Sequence, residues 1–234
     1  MSYKNDIKVI DRSGFGLQLE VNGARCCGFT ANMDSRWMDQ AIEALREGDA
    51  DGFMFAAIGN HTRLGLVFDM EDVLYLCGVL EPAVVYGFTA SNVNNSRFQA
   101  KKIEALFHRC DRQKLLAAGD PLPEGDTLTI YRGVAGVGSM RRVSGLSWTL
   151  DLDIACWFAS RFNLPNPAIL AASVRPDEVF FYTDGRNEQE VVVRPARIKR
   201  VKLSESEIAA RSARECERKR QSQSAMLASM ATTA

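Results

Sequence analysis

Apolar and polar positions along this chain follow two periods in succession. Residues 7–30 alternate loosely, broken at Gly14, Gly16, Gly23 and Gly28, and predict short strands or a hairpin. Over 34–47 the period becomes helical: Trp37, Met38, Ala41, Ile42 and Leu45 share one face. Asp34 or Ser35 can cap the start, and the turn at 48–52 ends it. Residues 54–58 are a short apolar run, and 69–77 fits a turn or two of helix. Residues 80–88, interrupted by Pro82, read as partly extended, and 90–95 as a polar loop. A second amphipathic helix is expected over about 96–118, with Phe98, Ile103, Leu106, Phe107, Cys110 and Leu115 on its apolar face, stopped by Gly119 and Pro121.

Beyond Pro121 the chain turns to short β runs. Strands are expected at 128–132, 145–149, 168–174, 179–182, 191–193 and 197–203. A helix over 151–162 would face Ile154, Ala155, Phe158 and Phe162 inward. From Ser204 the composition suits an exposed helix to about Arg220, with 221–234 fraying. The expected organisation is a mainly helical region 1–120 packing on a β-rich core 121–203, then a basic helix and tail 204–234. The fold class is α+β.

Charge sharpens this picture. The formal net charge is zero, so nothing draws the whole chain to nucleic acid or membrane. From Arg194 to Ala234, however, 10 lysines and arginines face 4 acidic residues, a net +6 set against −6 elsewhere. Interleaved glutamates and the lack of aromatics in that tail favour a solvated helix face over a nucleic-acid footprint. No apolar run reaches membrane-spanning length and no leader pattern opens the chain, so a cytoplasmic setting, in the producing or a target cell, is expected. Six cysteines without a CxxC pair and only two histidines, His61 and His108, argue against a metal site. Cys77 and Cys156 lie in apolar surroundings and read as small buried hydrophobes, and His108 as packed or solvated on its helix.

Chemistry concentrates in the second half. Glu188 and Glu190 precede the apolar run Val191, Val192, Val193 after a polar turn. On a strand they would share a face, an arrangement costly in repulsion and desolvation unless it serves something. Arg132 ends a strand and is followed by Gly133, where backbone can approach a ligand, and arginine suits two-pronged contact with phosphate. Ser147 and Thr149 share a strand face, with Trp148 opposite. The glycines at 133, 136 and 138 match neither a dinucleotide fingerprint nor a phosphate loop.

In order, these segments are Tyr131-Arg132-Gly133, Ser147-Trp148-Thr149 with Ala155 to Ala159 behind, and Glu188-Gln189-Glu190. The set resembles the Arg-Ser-Glu class of mono-ADP-ribosyltransferases, found among bacterial toxins and phage proteins, over roughly residues 127–197. Trp148 departs from the family's small central residue. The resemblance implies a split β-sandwich core, NAD as substrate, no metal, and a protein acceptor. It implies that Arg132 holds the phosphates or adjoining ribose, with Thr149 on the same binding surface. It further implies that Gly133 faces the nicotinamide amide and that Ser147 braces Glu190. Glu190 would stabilise the ribosyl cation, and Glu188 would meet the acceptor, pointing to arginine. The alternatives are an NAD glycohydrolase and an inactive binding module of the same fold.

Overall fold

The computed structural model describes residues 4–91, 98–138, 141 and 143–232. They divide into two compact units, Met1–Gly119 and Asp120–Ala234. The loop expected at 90–95 and the first residues of the helix expected from 96 fall mostly outside the described residues.

The first unit opens with an antiparallel meander of β1 (Ile7–Ser13), β2 (Gly16–Val21) and β3 (Ala24–Phe29). The alternation does what it should here: Leu17, Leu19 and Val21 point inward and are buried. Lys8 faces Glu20 across the ladder and pairs with it at 2.9 Å. Helices follow: α1 (Met38–Glu47), α2 (Ala50–Met54), α3 (Arg63–Asp69), α4 (Glu71–Leu76) and α5 (Leu80–Thr89). Then come α6 (Ala100–Arg109) and α7 (Arg112–Ala117).

Several expectations for this unit need correction. Trp37 belongs to a 3-10 turn capped by Asp34 and is exposed; the apolar face of α1 is Ala41, Ile42 and Leu45. The turn expected at 48–52 is half helix, because the Asp49 side chain accepts from Gly52 N and starts α2. Residues 80–88 are helical, not extended. Pro82 sits in the first turn of α5, where backbone N–H groups have no intrahelical acceptor and a missing donor costs nothing. Leu80, Ala83, Val84, Val85 and Phe88 are all buried along α5. The long helix over 96–118 is two helices. Cys110 is extended, with ψ 148°, the Asp111 amide donates to the buried Glu81 carboxylate at 2.9 Å, and Asp111 in turn caps Lys114 N. A side-chain acceptor thus replaces the helical hydrogen bond at the break.

The second unit is built on a six-stranded sheet in the order β7-β8-β5-β4-β6-β9. Its strands are β4 (Leu128–Val134), β5 (Ser147–Thr149), β6 (Ala168–Val174), β7 (Phe181–Thr183), β8 (Glu190–Val192) and β9 (Lys199–Arg200). All neighbours are antiparallel. The β5 and β9 strands are shorter than their sequence windows. The sheet falls into two halves. β4 and β6 pair along their whole length, from Leu128↔Val174 to Val134↔Ala168, whereas β4 meets β5 only at Tyr131↔Thr149.

One face carries Leu128, Ile130, Trp148, Ala172, Val174, Tyr182 and Val191 into one apolar cluster. On the other face lies α8 (Leu152–Ser160), capped by Asp151, which accepts from Asp153 N and Ile154 N. Ala155, Cys156 and Ala159 pack there with Ile169 and Ile208. Phe162, expected inward, is exposed and lies beyond the end of α8. Cys77 and Cys156 are buried free thiols, and burial pushes them up to about 12 and about 11.

The last helix, α9 (Glu205–Thr232), begins in a reciprocal cap. Ser204 N donates to Glu207 Oε2 at 2.7 Å and Glu207 N donates to Ser204 Oγ at 3.3 Å. Its face toward α8 is not solvated. Ile208, Ser212 and Glu215 are buried, Arg211 and Arg214 pair with Asp153, and Arg218 pairs with Asp151. The helix also runs past Arg220 instead of fraying, since a nucleated, anchored helix extends at little cost. No helix among the described residues is long and apolar enough to cross a membrane.

Candidate active site

Where β4 and β5 part company, charged side chains gather. Arg132 does not end its strand, since β4 runs on to Val134; it is half-buried, and its Nη1 donates to the carbonyl oxygen of Ser147. Gly145 makes room for it, since the Arg132 guanidinium occupies the space where a Cβ of Gly145 would be. The Ser147 hydroxyl lies close enough to the Glu190 carboxylate to favour its charged form. Ser147 and Glu190 lie on neighbouring strands, with Ser147↔Val192 and Thr149↔Glu190 as register pairs, so the two are diagonal neighbours on one face of the sheet. Ser147 thus sits between Arg132, which its carbonyl accepts, and Glu190, its diagonal neighbour on β8.

Glu190 is 6% exposed. Burial raises its pKa above the ordinary carboxylate range. The nearby Ser147 hydroxyl and the Arg186 and Arg132 charges pull it back, and Glu188 adds to the rise. Carboxylates with this mixture of desolvation and opposed charges are characteristic of reactive sites, and also of structural networks.

Glu188 reaches the same place by a different route from the one its spacing implies. The strand begins at Glu190, so Glu188 is not on it. Asn187 (φ 52°) and Gln189 (φ 45°) are left-handed, which breaks the two-residue alternation. One local and one long-range hydrogen bond hold this loop: Gln189 N donates to Asp184 Oδ1 at 3.0 Å, and Leu150 N to the Gln189 carbonyl at 3.2 Å. Glu188 still converges with Glu190 on Arg186 Nη2, Glu188 as an ion pair at 3.0 Å and Glu190 as a hydrogen-bond acceptor at 3.3 Å.

Thr149 and Gly133 serve the frame. The buried Thr149 hydroxyl donates to the Glu188 carbonyl at 2.7 Å and accepts from Asp151 N at 3.1 Å. It is committed to backbone and ties the glutamate loop to the cap of α8. A Cβ at Gly133 would lie 2.0 Å from the Ala155 carbonyl oxygen and 2.6 Å from Ala159 N, so glycine here lets α8 lie against β4. Only the backbone of Gly133 is open to a ligand role.

Three neighbours of the glutamates escape a reading by motif. Arg186 looks like an ordinary turn residue in sequence. Lys219, on α9, has its Nζ 3.9 Å from Glu188 Oε1 and 3.6 Å from the centroid of Trp157. The Arg161 guanidinium faces Trp157, Phe158 and Phe162 at 5.4, 4.5 and 4.6 Å, with no ion pair among the described residues. Its pKa is lowered, first by burial and then by the Arg186 charge, while Glu188 opposes the shift. The spacing of Trp157 and Phe158 before Arg161 is a helical i, i+3/i+4 signal that sequence could have offered.

No group of histidine, cysteine, aspartate and glutamate side chains among the described residues is arranged to hold a metal ion. Comparison with known protein families, with curated proteins and with solved structures finds no match to this chain.

Proposed function

We propose that the chain is an NAD-dependent mono-ADP-ribosyltransferase that passes ADP-ribose to arginine on a protein and releases nicotinamide. One observation carries this reading: Arg132 donates to the Ser147 carbonyl, Ser147 and the buried Glu190 are diagonal neighbours on β5 and β8, and Glu188 converges with Glu190 on Arg186. An arginine fork, a hydroxyl and two carboxylates are the groups this reaction asks for. The fork suits the two phosphates of NAD. As the bond from ribose C1′ to nicotinamide breaks, the ring leaves with the bonding electron pair and positive charge grows on the ribose. A fixed carboxylate in a water-poor site stabilises that charge more than it stabilises bound NAD, which lowers the barrier. Glu190 is assigned this role, braced by Ser147. Glu188 is assigned to the incoming guanidinium and takes its proton.

The ADP-ribosyltransferase-like split core belongs to the same proposal. Its support is the single-pair junction at Tyr131↔Thr149, beyond which β4 has no ladder partner on the β5 side among the described residues. Backbone left open in this way is where a nicotinamide amide could take hydrogen bonds.

The test is incubation with adenine-labelled NAD and a cell lysate, measuring free nicotinamide and label on protein, with mass spectrometry of the labelled residue. Label on arginine that vanishes in Glu190→Gln supports the assignment. The absence of both nicotinamide release and labelling would overturn it. NAD glycohydrolase is the second reading, favoured by Arg186 already seated between the glutamates. It would show as nicotinamide release without label on protein.

A further inference from the structure

The neighbour that the proposed reaction leaves unused is Arg186. Two carboxylates from different backbone settings, one in a loop and one on a strand, converge on the same atom, Nη2, at 3.0 and 3.3 Å. The rest of the side chain is open, with 43% of its surface exposed. Its turn is built, not loose. Asp184 N donates to Asp120 Oδ2 at 2.7 Å, Asn187 N to the Asp184 carbonyl at 2.7 Å, and Gln189 N to Asp184 Oδ1 at 3.0 Å. Arg186 is therefore presented to the glutamates by a pinned loop.

We propose that Arg186 is a modification site: the chain's own ADP-ribose acceptor, modified within the same molecule. This rests on the proposed transferase activity. A guanidinium from another protein must displace Arg186 from Glu188, whereas Arg186 is tethered four residues from Glu190 and attacks without a bimolecular encounter. The bond from ribose C1′ to the nicotinamide nitrogen breaks, and nicotinamide leaves neutral with the electron pair. The Nη2 lone pair forms the new bond to C1′, and the proton released from Nη2 passes to Glu188 and on to water. Nothing is oxidised or reduced. The product carries two phosphate charges on the residue that had neutralised the two glutamates, so it no longer fits between them. Self-modification would then free Glu188 for an outside acceptor or close the site, according to where the new group settles.

The full chain is incubated with NAD and no other acceptor, at several protein concentrations. Incorporation is followed by intact mass and located by peptide fragmentation that preserves the modification, with nicotinamide measured in parallel. The expected result is one ADP-ribose per chain, on Arg186, at a first-order rate unchanged across a tenfold range of protein concentration, the mark of an intramolecular step. Arg186→Lys should lower the ratio of ADP-ribose incorporated to nicotinamide released by at least about tenfold. Nicotinamide release with Arg186 unmodified overturns the inference and leaves NAD cleavage standing. A rate proportional to protein concentration also overturns it, in favour of transfer between molecules. Absence of nicotinamide release overturns the transferase reading itself, and this inference with it.

Discussion

The Arg132 guanidinium fills the space beside Gly145 so closely that a Cβ on Gly145 would lie 2.1 Å from Arg132 Nη2. The crowded atoms are the far end of a flexible side chain, so Gly145→Ala should move Arg132 off the Ser147 carbonyl without unfolding the sheet. We expect the KM for NAD to rise by about tenfold, with kcat affected less, the pattern for a lost binding contact. Steady-state kinetics beside a thermal melt decides. An unchanged KM would show that the Arg132 seat does not matter for NAD.

Gly133→Ala should behave in the opposite way. Its Cβ would meet the backbone of Ala155 and Ala159, which cannot swing aside. A loss of roughly 2–3 kcal/mol in folding stability is expected, the cost of overpacking where backbone must shift. Denaturant unfolding measures it, and a neutral result would mean that α8 can move away from β4 at no cost.

Glu190→Gln should leave NAD affinity within a few-fold and lower turnover by about 10²–10³, the scale for one electrostatic group at a transition state. The raised pKa of Glu190 adds a signature. Catalysis needs the carboxylate, so the acid limb of the rate profile should lie above the ordinary glutamate value of about 4.3, with activity rising as pH rises through it. The stability linkage has the reverse sign. A carboxyl with a raised folded pKa contributes most when protonated, below the ordinary value, and that contribution is lost as pH rises through the folded pKa. Glu190→Gln should therefore be more stable than wild type at neutral pH, the difference closing in acid. A wild-type acid limb that persists in the variant would assign it to another group.

Glu188→Gln separates transfer from cleavage. Nicotinamide release without acceptor should stay near the wild-type rate, while labelling of arginine falls by about 10² or more, because glutamine cannot take the guanidinium proton. Parallel loss of both activities would place Glu188 in NAD cleavage.

Asp153 joins α8 to α9. Burial would raise its pKa, but the Arg214 and Arg211 pairs outweigh burial and hold it below the usual value. A depressed carboxylate contributes stability that is present above its unfolded pKa and lost as pH falls through the folded one. Acidification below about pH 4, the ordinary aspartate range, should loosen α9, and Asp153→Asn should do so at neutral pH. Amide hydrogen exchange along α9 reads both, and full protection of α9 in Asp153→Asn would show that apolar packing holds it unaided.

Period-two alternation in the chain determined most of the β-rich half. It placed Trp148 opposite Ser147 and Thr149 and brought out the windows of β4, β6 and β8, because a strand's faces follow from residue spacing alone. Arg132, Ser147 and Glu190 are joined by the resemblance of their segments to a known motif set, not by the alternation. Other features depend on partners distant in sequence. Pro82 reads as a helix breaker until its place in the first turn is known. Asp111 ends α6 because Glu81, thirty residues earlier, takes its amide. Glu188 meets Glu190 through a left-handed loop pinned by Asp184 and Leu150, not through strand alternation. Arg186, Arg161 and Lys219 join the glutamates only because a turn, the end of α8 and the body of α9 are folded against the start of β8. Sequence spacing carries local periodicity, whereas the convergence of charges from separate elements is an outcome of packing.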